Sequence, residues 1–575
     1  MEIIKLDEQL SNYGTLMLGA AIKSIYPTAK LGGSAVGEFG FYVDFECSTP
    51  VKTENLSKLE DEIKRLLKRA EITPSEKTKS ETVKMFDKAG EPYLVELAGE
   101  IKGKISIVKI GNVALLGNVS GDAPRVVKLT QITGAYWRGD AKNKMLTRIY
   151  GQAFNSKDEL AAFNAYREEI LKRDHNKIGR ELEYFTTVDI VGQGLPHMLP
   201  KGAKVLQILQ RFVEDEEERR GYMYVKTPLF AKKELYELSG HWQHYKDGMF
   251  IIGDERLDDE VFALRPMTCP FNFFCYKAAM RSYRDLPYRI GETSTLFRNE
   301  SSGEMHGLQR VRQFTLSEGH IMVRPDQVDM MIDECLELTR FFMNALGIAE
   351  RATYRLSKWD EKNPKKYFGT KSDWNKSQDQ LRAALVRAGV EFTEVDGDAA
   401  FYGPKIDVQL KNVHGKEDTA FTTQLDFCLA EKYDMTYVDD KGERVRPVII
   451  HRSALGCYER TFAFLLEHYA GALPTWLAPV QAVVMGITNK QDDYVNEIYS
   501  ALRASGIRVE KDVKSEKVGY KIREHTKKKT PYLIVVGDKE REENVVSVRT
   551  REGADLGVMN LEQFIGRVDF NTPAK

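Results

Sequence analysis

The sequence predicts a protein of the α+β class with several domains. Its 575 residues are enough for three or four domains with substantial hydrophobic cores. Residues 297–320 read as a β-hairpin with arginines at both shoulders. After Pro479, apolar strand-like segments alternate with helix-like segments, a pattern typical of a mixed sheet covered by helices.

The individual elements follow from hydrophobic spacing and from the positions of Gly and Pro. Helices are predicted at residues 18–26, 56–70 and 203–220, with a charged helical connector at 157–185. Strands are predicted at residues 40–45 and 222–227. In the last domain, strands are predicted at 482–487, 507–513, 532–536 and 545–549, and helices at 494–504, 518–529 and 561–568.

Composition and charge exclude several classes of protein. The net charge of -1 means that binding to a polyanion must depend on local patches. Six cysteines without a CxxC pair fit a reducing cytosol better than a disulfide framework. The N-terminus lacks the pattern of a signal peptide, and no apolar run is long enough to span a membrane. We therefore expect a cytoplasmic protein without a membrane segment.

The hairpin carries the most informative chemistry in the chain. It opens on Phe297-Arg298-Asn299-Glu300 and returns, after a polar turn at 301–304, through Arg310, Arg312 and Phe314. Guanidinium groups suit bidentate contacts to phosphate, and an aromatic ring offers a face to a base. Such a hairpin fits a site for ATP or an adenylate. A solvated Arg-rich hairpin is the alternative.

Read with its neighbours, this hairpin resembles motif 2 of the class II aminoacyl-tRNA synthetases, and specifically of the threonyl-tRNA synthetase family. The other matching segments occur in the same order as in that family. They are Arg265–Pro270, Phe401–Lys405, Thr423–Phe427, Ile450–Arg452 and Leu455–Arg460, the last of which resembles motif 3. So many colinear matches are far more specific than any single motif.

The resemblance implies a catalytic core built on an antiparallel sheet, followed by an α/β anticodon-binding domain. It divides the chain into a degenerate editing-like domain (1–130), a second small domain with the helical connector (131–184), the catalytic domain (185–478) and the anticodon-binding domain (479–575). The helix and strand at 203–227 resemble motif 1, so a homodimer is expected. The implied reaction is activation of threonine with ATP and Mg²⁺, followed by transfer to tRNA(Thr).

Cys269, His320 and His451 are the residues that the resemblance implies as ligands of one zinc ion per subunit. A single Cys or His is by itself more often a packed core residue. One thiolate and two imidazoles leave zinc an open position, which threonine would fill with its amino group and hydroxyl. Valine lacks the hydroxyl and is rejected strongly, whereas serine keeps it and is excluded poorly.

The resemblance also implies roles around the nucleotide. Arg298 would hold the α-phosphate, Phe314 would stack on adenine near Glu300, and Arg460 would grip the γ-phosphate. Of Arg310 and Arg312, one would reach phosphate and the other would be structural. The residues implied around threonine are Met267, Glu318, Tyr402, Lys405, Gln424 and Cys457.

For the steps that involve tRNA, His241 is implied as the base that deprotonates the ribose hydroxyl. A surface histidine beside Trp242 is the alternative. Lys521, Glu524 and Arg549 are implied as contacts to anticodon bases. The run at 527–529 either contacts phosphates or is a solvated face.

The chain departs from the family at the editing site. No histidine precedes His175. The positions of the family's HxxxH pair fall on Asn12 and Leu16, and the later Cys/His cluster falls on residues 121–125. Because the resemblance begins at the editing domain, we also expect the first ubiquitin-like module of longer relatives to be absent. We therefore expect the editing fold to persist while editing of Ser-tRNA(Thr) in cis is lost.

Three positions near the predicted amino-acid site also differ from the family. Glu318 stands where the family usually has Asp, Leu316 where it has Gln, and Cys457 where it has Ser. These changes bear on fine specificity and inhibitor sensitivity. Two alternatives are a non-charging tRNA-binding paralogue and an adenylating enzyme for another β-hydroxy amino acid. A paralogue would be expected to lose zinc ligands or motif arginines, and all of these are present.

Overall fold

A computed structural model of the chain describes residues 4–568 and 570, apart from residues 38, 141 and 302. Ser302 of the predicted polar turn therefore lies outside the described residues. The chain divides into two compact units, Met1–Ile170 and Leu171–Lys575. Among the described residues, none of the helices has the length and apolar character needed to cross a bilayer.

The first unit packs its helices against two antiparallel sheets, ordered β1-β2-β7-β6 and β3-β4-β5. The predicted boundary at residue 130 falls inside β6, which pairs with β7 on both sides of an irregularity at Thr130. The strands are β1 (Lys30–Gly37), β2 (Gly40–Glu46), β3 (Ile72–Lys77), β4 (Ile105–Ile110), β5 (Val113–Leu116), β6 (Val126–Tyr136) and β7 (Met145–Phe154). The helices are α1 (Glu8–Ile25), α2 (Leu56–Arg69), α3 (Lys79–Lys88), α4 (Pro92–Glu100) and α5 (Lys157–Arg173).

Helix α1 begins ten residues earlier than the hydrophobic pattern predicts, at Glu8 rather than Leu18. Asp7 caps it by accepting hydrogen bonds from the amides of Gln9 and Leu10. Gly14 lies inside this helix because a Cβ there would approach the Phe41 ring to 2.3 Å. Gly14 therefore allows the close contact between α1 and β2.

The second unit begins with the elements that surround one large sheet. Its strands are β8 (Phe185–Thr186), β9 (His197–Met198), β10 (Met223–Tyr224), β11 (Phe230–Lys232), β12 (Ile251–Ile252), β13 (Phe262–Leu264), β14 (Tyr288–Phe297), β15 (Gln313–Val323), β16 (Ala352–Lys358), β17 (Phe392–Asp396), β18 (Lys405–Lys411), β19 (Glu417–Asp426), β20 (Tyr437–Val438), β21 (Arg444–Val445) and β22 (Val448–Ser453). Its helices are α6 (His175–Glu181), α7 (Pro200–Arg219), α8 (Lys233–Ser239), α9 (His241–Tyr245), α10 (Cys269–Lys277), α11 (Val328–Ala345), α12 (Lys371–Arg387), α13 (Leu429–Lys432) and α14 (Tyr458–His468).

Eight of these strands form the central sheet, in the order β10-β14-β15-β22-β19-β18-β16-β17. The strands from β14 to β16 in this order pair antiparallel, and only the two edge pairs are parallel. Ile321, Ile450 and Leu425 project from one face into a core that they share with Phe342 of α11 and Phe462 of α14. Because side chains alternate along a strand, the neighbouring residues project from the opposite face.

Two predictions about this sheet need correction. The strand predicted at 222–227 is only two residues long, because the Thr227 amide bonds the Glu292 side chain instead of a strand. The hairpin is confirmed, but its strands are joined by the long segment 298–312 rather than a short polar turn. In that segment the Asn299 amide donates to the Gly248 carbonyl rather than to the opposite strand of the hairpin.

The C-terminal part forms a separate five-stranded sheet in the order β24-β23-β25-β26-β27. Strand β23 is parallel to both of its neighbours, whereas β26 and β27 are antiparallel. The predicted mixed sheet covered by helices is thus confirmed. The strands are β23 (Ala482–Gly486), β24 (Val509–Asp512), β25 (Tyr532–Val536), β26 (Val546–Thr550) and β27 (Asp555–Met559), and the helices are α15 (Asp492–Ala504), α16 (Val518–Lys527), α17 (Asp538–Glu543) and α18 (Leu561–Arg567).

We predict that Gly456→Ala destabilises the protein more than Gly442→Ala does. Both glycines have positive φ, +72° and +85°, so each substitution costs about 1–2 kcal/mol of backbone strain. At Gly456 the added Cβ would also lie 1.8 Å from the Ala420 carbonyl oxygen, whereas Gly442 has open space. Urea unfolding followed by circular dichroism should show a lower midpoint for Gly456→Ala. Equal midpoints would contradict this reading of the turn before α14.

Candidate active site

The face of the central sheet opposite α11 and α14 carries a row of predicted site residues. In register, His320 of β15 pairs with His451 of β22, which pairs with Gln424 of β19, which pairs with Lys405 of β18. Directly paired residues in antiparallel strands project from the same face. Four residues that are far apart in sequence therefore form one continuous line.

Helix α10 adds the third predicted metal ligand. Its Phe273 and Tyr276 pack on this face of the sheet, which places Cys269, the first residue of the helix, beside the two histidines. The Cys269 Sγ and one ring nitrogen each of His320 and His451 lie within 4.8 Å of one another, and all three residues are buried. The structure thus brings together the three residues that the family resemblance implies as metal ligands.

Two neighbouring side chains orient the imidazoles. Asn272 donates from its amide to Glu292, and its carbonyl oxygen accepts from Nδ1 of His320 at 2.9 Å. Nε2 of His320 then has no hydrogen-bond partner among the described groups. Nε2 of His451 donates to Asp426 at 2.9 Å, which leaves Nδ1 for the cluster. This arrangement, in which each histidine uses one nitrogen to bond a polar neighbour, is typical of metal-binding histidines.

The protonation states also fit a metal ion. Burial lowers the pKa of His320 well below its usual value, so its imidazole is neutral at pH 7. Burial, together with the nearby Glu318, raises the pKa of the Cys269 thiol. A cation beside this sulfur would favour the thiolate form. One sulfur and two imidazoles with buried polar neighbours match the donor set of a zinc site with an open position.

Glu318 lies two residues before His320, on the same face of β15. Its Oε1 is 3.9 Å from Nε2 of His320, and its Oε2 is buried without a hydrogen-bond partner among the described groups. Burial raises the pKa of this carboxyl. A buried carboxylate oxygen that lacks a donor is suited to accept a hydrogen bond from a bound ammonium group.

Tyr402 lies against the other side of the cluster. Its ring stacks on His451 with 5.0 Å between ring centres, and its hydroxyl donates to Gln424 at 2.6 Å. Lys405, the next residue in the row, is paired with Asp407 at 2.6 Å. Met267 packs in the apolar groups around Phe273 and Trp242. Aromatic and polar side chains therefore border the cluster, with an apolar methionine behind it.

A cavity of about 240 Å³ opens further along this face. Its walls contain three arginines, Arg298, Arg310 and Arg460, of which the first two belong to the hairpin and the third to α14. The other predicted residues that line it are Glu300, Phe314, Lys405, Gln424 and Cys457. The cavity thus joins most of the predicted nucleotide residues to part of the row beside the cluster.

The hairpin arginines have distinct surroundings. The guanidinium of Arg298 lies 5.1 Å from the centre of the Phe314 ring. Arg310 donates to the Glu300 carboxylate at 2.9 Å. Arg312 instead donates to the Glu300 main-chain carbonyl at 3.2 and 3.1 Å, and it does not line the cavity. Arg310 is thus placed to meet a ligand, whereas Arg312 holds the shape of the 298–312 segment.

Arg460 is fixed by two main-chain carbonyls, those of Gln309 at 2.9 Å and Thr419 at 2.7 Å. Cys457 caps the same helix, and its thiol donates to Glu459. Burial raises the pKa of Cys457, so the thiol stays protonated. The main chain of Leu316 pairs antiparallel with that of Cys457, and Leu316 also lines the cavity. These two substituted positions therefore adjoin each other in the cavity wall.

His241 is buried rather than on the surface, with 6% of its area exposed. Its Nδ1 is 2.7 Å from the Ser239 hydroxyl, and its ring centre is 6.4 Å from that of Tyr402. Burial, reinforced by His451, His244 and Arg298, lowers its pKa to about 3. The imidazole is therefore neutral at pH 7 and lies next to the row.

The three anticodon candidates differ in accessibility. Lys521 is buried, and its ammonium donates to the carbonyls of Gly486 and Asp512, so it supports the domain from within. Glu524 is half-buried and pairs with Lys527. Arg549 is exposed on β26, where it pairs with Asp555. Of the three, only Glu524 and Arg549 present charge toward solvent.

Comparisons with known proteins agree with this geometry. The chain is 52% identical over 559 residues to the threonine–tRNA ligase of Clostridium perfringens, which covers 96% of this chain and 87% of that protein. The chain belongs to the threonine–tRNA ligase family. The Geobacillus sp. threonine–tRNA ligase is 43% identical over 96% of the chain and 86% of its own length. The predicted family is thus confirmed.

Two family models match the parts of this ligase-family chain that carry most of the central sheet and the C-terminal sheet. Residues 250–469 match the tRNA synthetase class II core domain (G, H, P, S and T), and residues 481–570 match an anticodon binding domain. A solved RNA binding domain of threonyl-tRNA synthetase from Cryptosporidium parvum superposes with a TM-score of 0.63 at 34% identity, covering 69% of this chain and 97% of that one. A prolyl-tRNA synthetase from the same organism, at 17% identity and a TM-score of 0.52, shows the fold alone.

Sequence reasoning missed several residues that position this ligase-family site. Asp426 lies inside a matching segment, and Asn272 lies one helical turn after Cys269, so both had a usable signal. The Gln309 and Thr419 carbonyls that hold Arg460 had none, because main-chain atoms carry no residue-type signature.

We predict that Asp426→Asn weakens zinc binding about 10–100-fold. The asparagine can still accept from the Cys428 and Leu429 amides, but it can turn an NH₂ group toward Nε2 of His451. Competition with a chromophoric chelator measures the affinity. Asp439→Asn is the matched control, because the Asp439 side chain also accepts two main-chain amides, but they belong to Lys441 and Glu443 in its own turn and neither residue is a ligand of the cluster. Equal affinities of the two variants would contradict the role given to Asp426.

Proposed function

We propose that this chain activates threonine with ATP and transfers it to tRNA(Thr), in the cytoplasm. The observation that carries the proposal is the single face of the central sheet on which the Cys269–His320–His451 cluster adjoins a cavity walled by three arginines. An amino-acid site and a nucleotide site must meet in this way for a carboxylate to attack a phosphate. Family membership supports the same reaction.

Cys269, His320 and His451 would hold one zinc ion per subunit. When bound, zinc supplies a Lewis acid with an open position for the amino and hydroxyl groups of threonine. The buried Oε2 of Glu318 is placed to accept from the amino group. Tyr402 and Gln424 border the side-chain end, with Met267 behind them, and Lys405 lies toward the cavity. A site built around a hydroxyl rejects valine far better than an apolar pocket would.

Arg298, Arg310 and Arg460 would bind ATP, which Mg²⁺ accompanies. Arg298 lies over the Phe314 ring and lines the cavity, where it can offset negative charge that develops on the α-phosphate. Arg460, held by two carbonyls, can receive the departing pyrophosphate without first losing side-chain entropy. Phe314 offers a stacking face to adenine, and Glu300 fixes Arg310 beside it. Arg312 is assigned to the shape of the segment.

His241 is proposed to act at the tRNA ribose as a neutral imidazole. Its pKa of about 3 ensures the neutral form, but an imidazole this acidic is a weak base in the protein alone. We infer that phosphates bound near His241 raise its pKa, because their negative charge would offset the positive charge of Arg298, which lowers it. The pH dependence of the single-turnover transfer rate measures this. The same pH dependence in the wild type and in His241→Ala would contradict it.

We further propose that Glu524 and Arg549 contact the anticodon, with Lys521 supporting them from inside the domain. This assignment goes with a division of the chain in which residues 479–575 form the part that binds tRNA. The accessible charge of Arg549 supports its choice. An increased KM for tRNA(Thr) in Arg549→Ala, with an unchanged KM for ATP, is the expected readout.

The first unit is proposed to lack editing activity. It contains a cavity of about 540 Å³, and Leu16, one of the two positions aligned with the HxxxH pair, lines it. No histidine or cysteine is among the residues that line this cavity, which is walled mainly by leucines and glycines. Hydrolysis of an ester needs a group that can activate water. Leu16 provides none, and the polar residues of the wall, Thr15, Ser34 and Glu100, do not lie at the HxxxH positions.

A homodimer is proposed through the motif 1 region. Strand β10 is an edge strand of the central sheet, and four large apolar side chains are exposed within 223–230. They are Met223, Tyr224, Leu229 and Phe230. Exposed apolar side chains grouped beside a sheet edge are typical of an interface.

The activity test is aminoacylation of tRNA(Thr) with threonine by zinc-loaded protein. We expect charging with threonine, and we expect preformed Ser-tRNA(Thr) to decay no faster with the protein than without it. Arg298→Ala should lower the rate of threonine-dependent pyrophosphate exchange about 10²–10³-fold. Arg256→Ala, a control with an exposed arginine, should leave it unchanged.

The possible failures of this test are distinct. Rapid deacylation of Ser-tRNA(Thr) would contradict only the loss of editing. Absence of charging with threonine, zinc being bound, would contradict the proposed function. Exchange that depends on another β-hydroxy amino acid and not on threonine would instead favour the alternative adenylating enzyme.

The dimer test is Phe230→Glu, analysed by size-exclusion chromatography with light scattering. We expect the wild-type protein to elute with the mass of two chains and the variant with the mass of one, since a buried unpaired carboxylate opposes association. Met330→Glu is the matched control, because its side chain is 53% exposed and that of Phe230 is 49% exposed. A monomeric wild-type protein would contradict the proposal.

A further inference from the structure

A second group of metal-ligating side chains lies outside the site described above. A carboxylate oxygen of Asp174 and one ring nitrogen each of His306 and His414 lie within 4.8 Å of one another. Asp174 and His414 are half-buried, and His306 is exposed, so the group is open to solvent. None of these residues belongs to the Cys269 cluster or lines the arginine cavity.

The three residues come from three separate parts of the chain. Asp174 is the N-cap of α6, where it accepts from the Lys177 amide at 2.9 Å. His306 lies in the 298–312 segment of the hairpin, and His414 lies in the turn between β18 and β19. Their proximity therefore depends on the tertiary fold and not on their being neighbours in one helix or loop.

One buried carboxylate, that of Glu467 on α14, ties all three parts together. Its Oε1 accepts from Nδ1 of His175, the neighbour of Asp174, at 2.7 Å, and from the side-chain amide of Gln309 at 3.1 Å. Its Oε2 accepts from the main-chain amide of Val413, the neighbour of His414, at 3.0 Å. Glu467 is 1% exposed. The segments that carry the three residues are therefore held in place before any ligand arrives.

The hydrogen bonds around this carboxylate continue to the ligating residues themselves. Nε2 of His175 accepts from the Leu308 amide at 3.2 Å, which fixes the main chain two residues after His306. The His414 amide donates to the Asn412 side chain at 3.0 Å. Pre-set ligand positions lower the ordering cost of binding, as the buried neighbours of established metal sites do.

We propose that Asp174, His306 and His414 bind a second metal ion, a divalent transition-metal ion such as Zn²⁺. Two imidazoles and one carboxylate are a common donor set for zinc, and the exposed side leaves a position for water. Hard cations such as Mg²⁺ prefer oxygen ligands and would not select two imidazoles. The site is independent of the proposed catalytic reaction, and a protein without ligase activity would still contain it.

Metal binding here would restrain the hairpin. The amide of His306 donates to the Arg310 carbonyl at 3.2 Å, and the Arg310 amide donates back to the His306 carbonyl at 3.3 Å. An ion on His306 would therefore limit the motion of the segment that carries Arg310 into the cavity. Zn²⁺ should slow hydrogen exchange of the amides at 304–312 in the wild-type protein.

The deciding experiment is equilibrium dialysis of the full chain against buffered free Zn²⁺, with the metal counted per chain. We expect two ions in the wild-type protein and one in His306→Ala and His414→Ala. Asp174→Asn should lower the affinity of the same ion, since asparagine keeps the helix cap but removes the charged ligand. His197→Ala, which removes an exposed histidine outside the group, should still bind two.

The difference in bound zinc between the wild type and the variants decides the proposal, whether or not the Cys269 cluster also binds zinc. If that cluster binds no zinc, the counts become one in the wild type and zero in the variants, and the second site still holds. Equal counts in the wild type, His306→Ala and His414→Ala would overturn it. Unchanged exchange at 304–312 on adding Zn²⁺ would overturn the restraint on the hairpin. Circular dichroism checks that each variant is folded.

Discussion

The register of the central antiparallel sheet is the constraint on which the site depends. His320, His451, Gln424 and Lys405 share a face only because β15, β22, β19 and β18 pair as they do. A slip of one residue in any pair would turn that strand's site residues into the core under α11 and α14. The apolar row of Ile321, Ile450 and Leu425 on the opposite face opposes such a slip, because it would bring these side chains into the polar site.

A buried polar network fixes the site within that frame. Glu292 accepts from Arg265, from Thr227 and from the Asn272 amide, and Asn272 in turn orients His320. Arg265 is 2% exposed and Glu292 is also 2% exposed. Arg265 and Glu292 form a buried ion pair, and the attraction within such a pair often does no more than offset the cost of removing both charges from water, so the network adds little to stability. Its effect is to give one imidazole a single orientation.

Much of this was accessible from the sequence, and the remainder has identifiable physical reasons. Strand alternation and helix spacing predicted the hairpin, α2, β2 and the last domain, because these signals are local. The early start of α1 was missed, since Gly14 is explained only by Phe41, a partner distant in sequence. The 298–312 segment was misjudged for the same reason, as its main chain bonds to Gly248.

The candidate site shows the same division. Motif order selected Cys269, His320 and His451, and the fold brought them together. Burial was not predictable residue by residue: Lys521 proved internal, and His241 was buried where a surface position was equally consistent with the sequence. The group of Asp174, His306 and His414 had no sequence signal at all. Its members meet through tertiary packing around Glu467, which no spacing pattern encodes.

The leucine-walled cavity of the first unit bears on the accuracy of translation. On the proposed function, a serine that passes the zinc site is not removed by the same polypeptide. The share of threonine codons decoded as serine would then follow the ratio of free serine to free threonine in the cell, multiplied by the ratio of their kcat/KM values. Amino-acid supply would become a determinant of proteome composition, unless a separate hydrolase clears the mischarged tRNA.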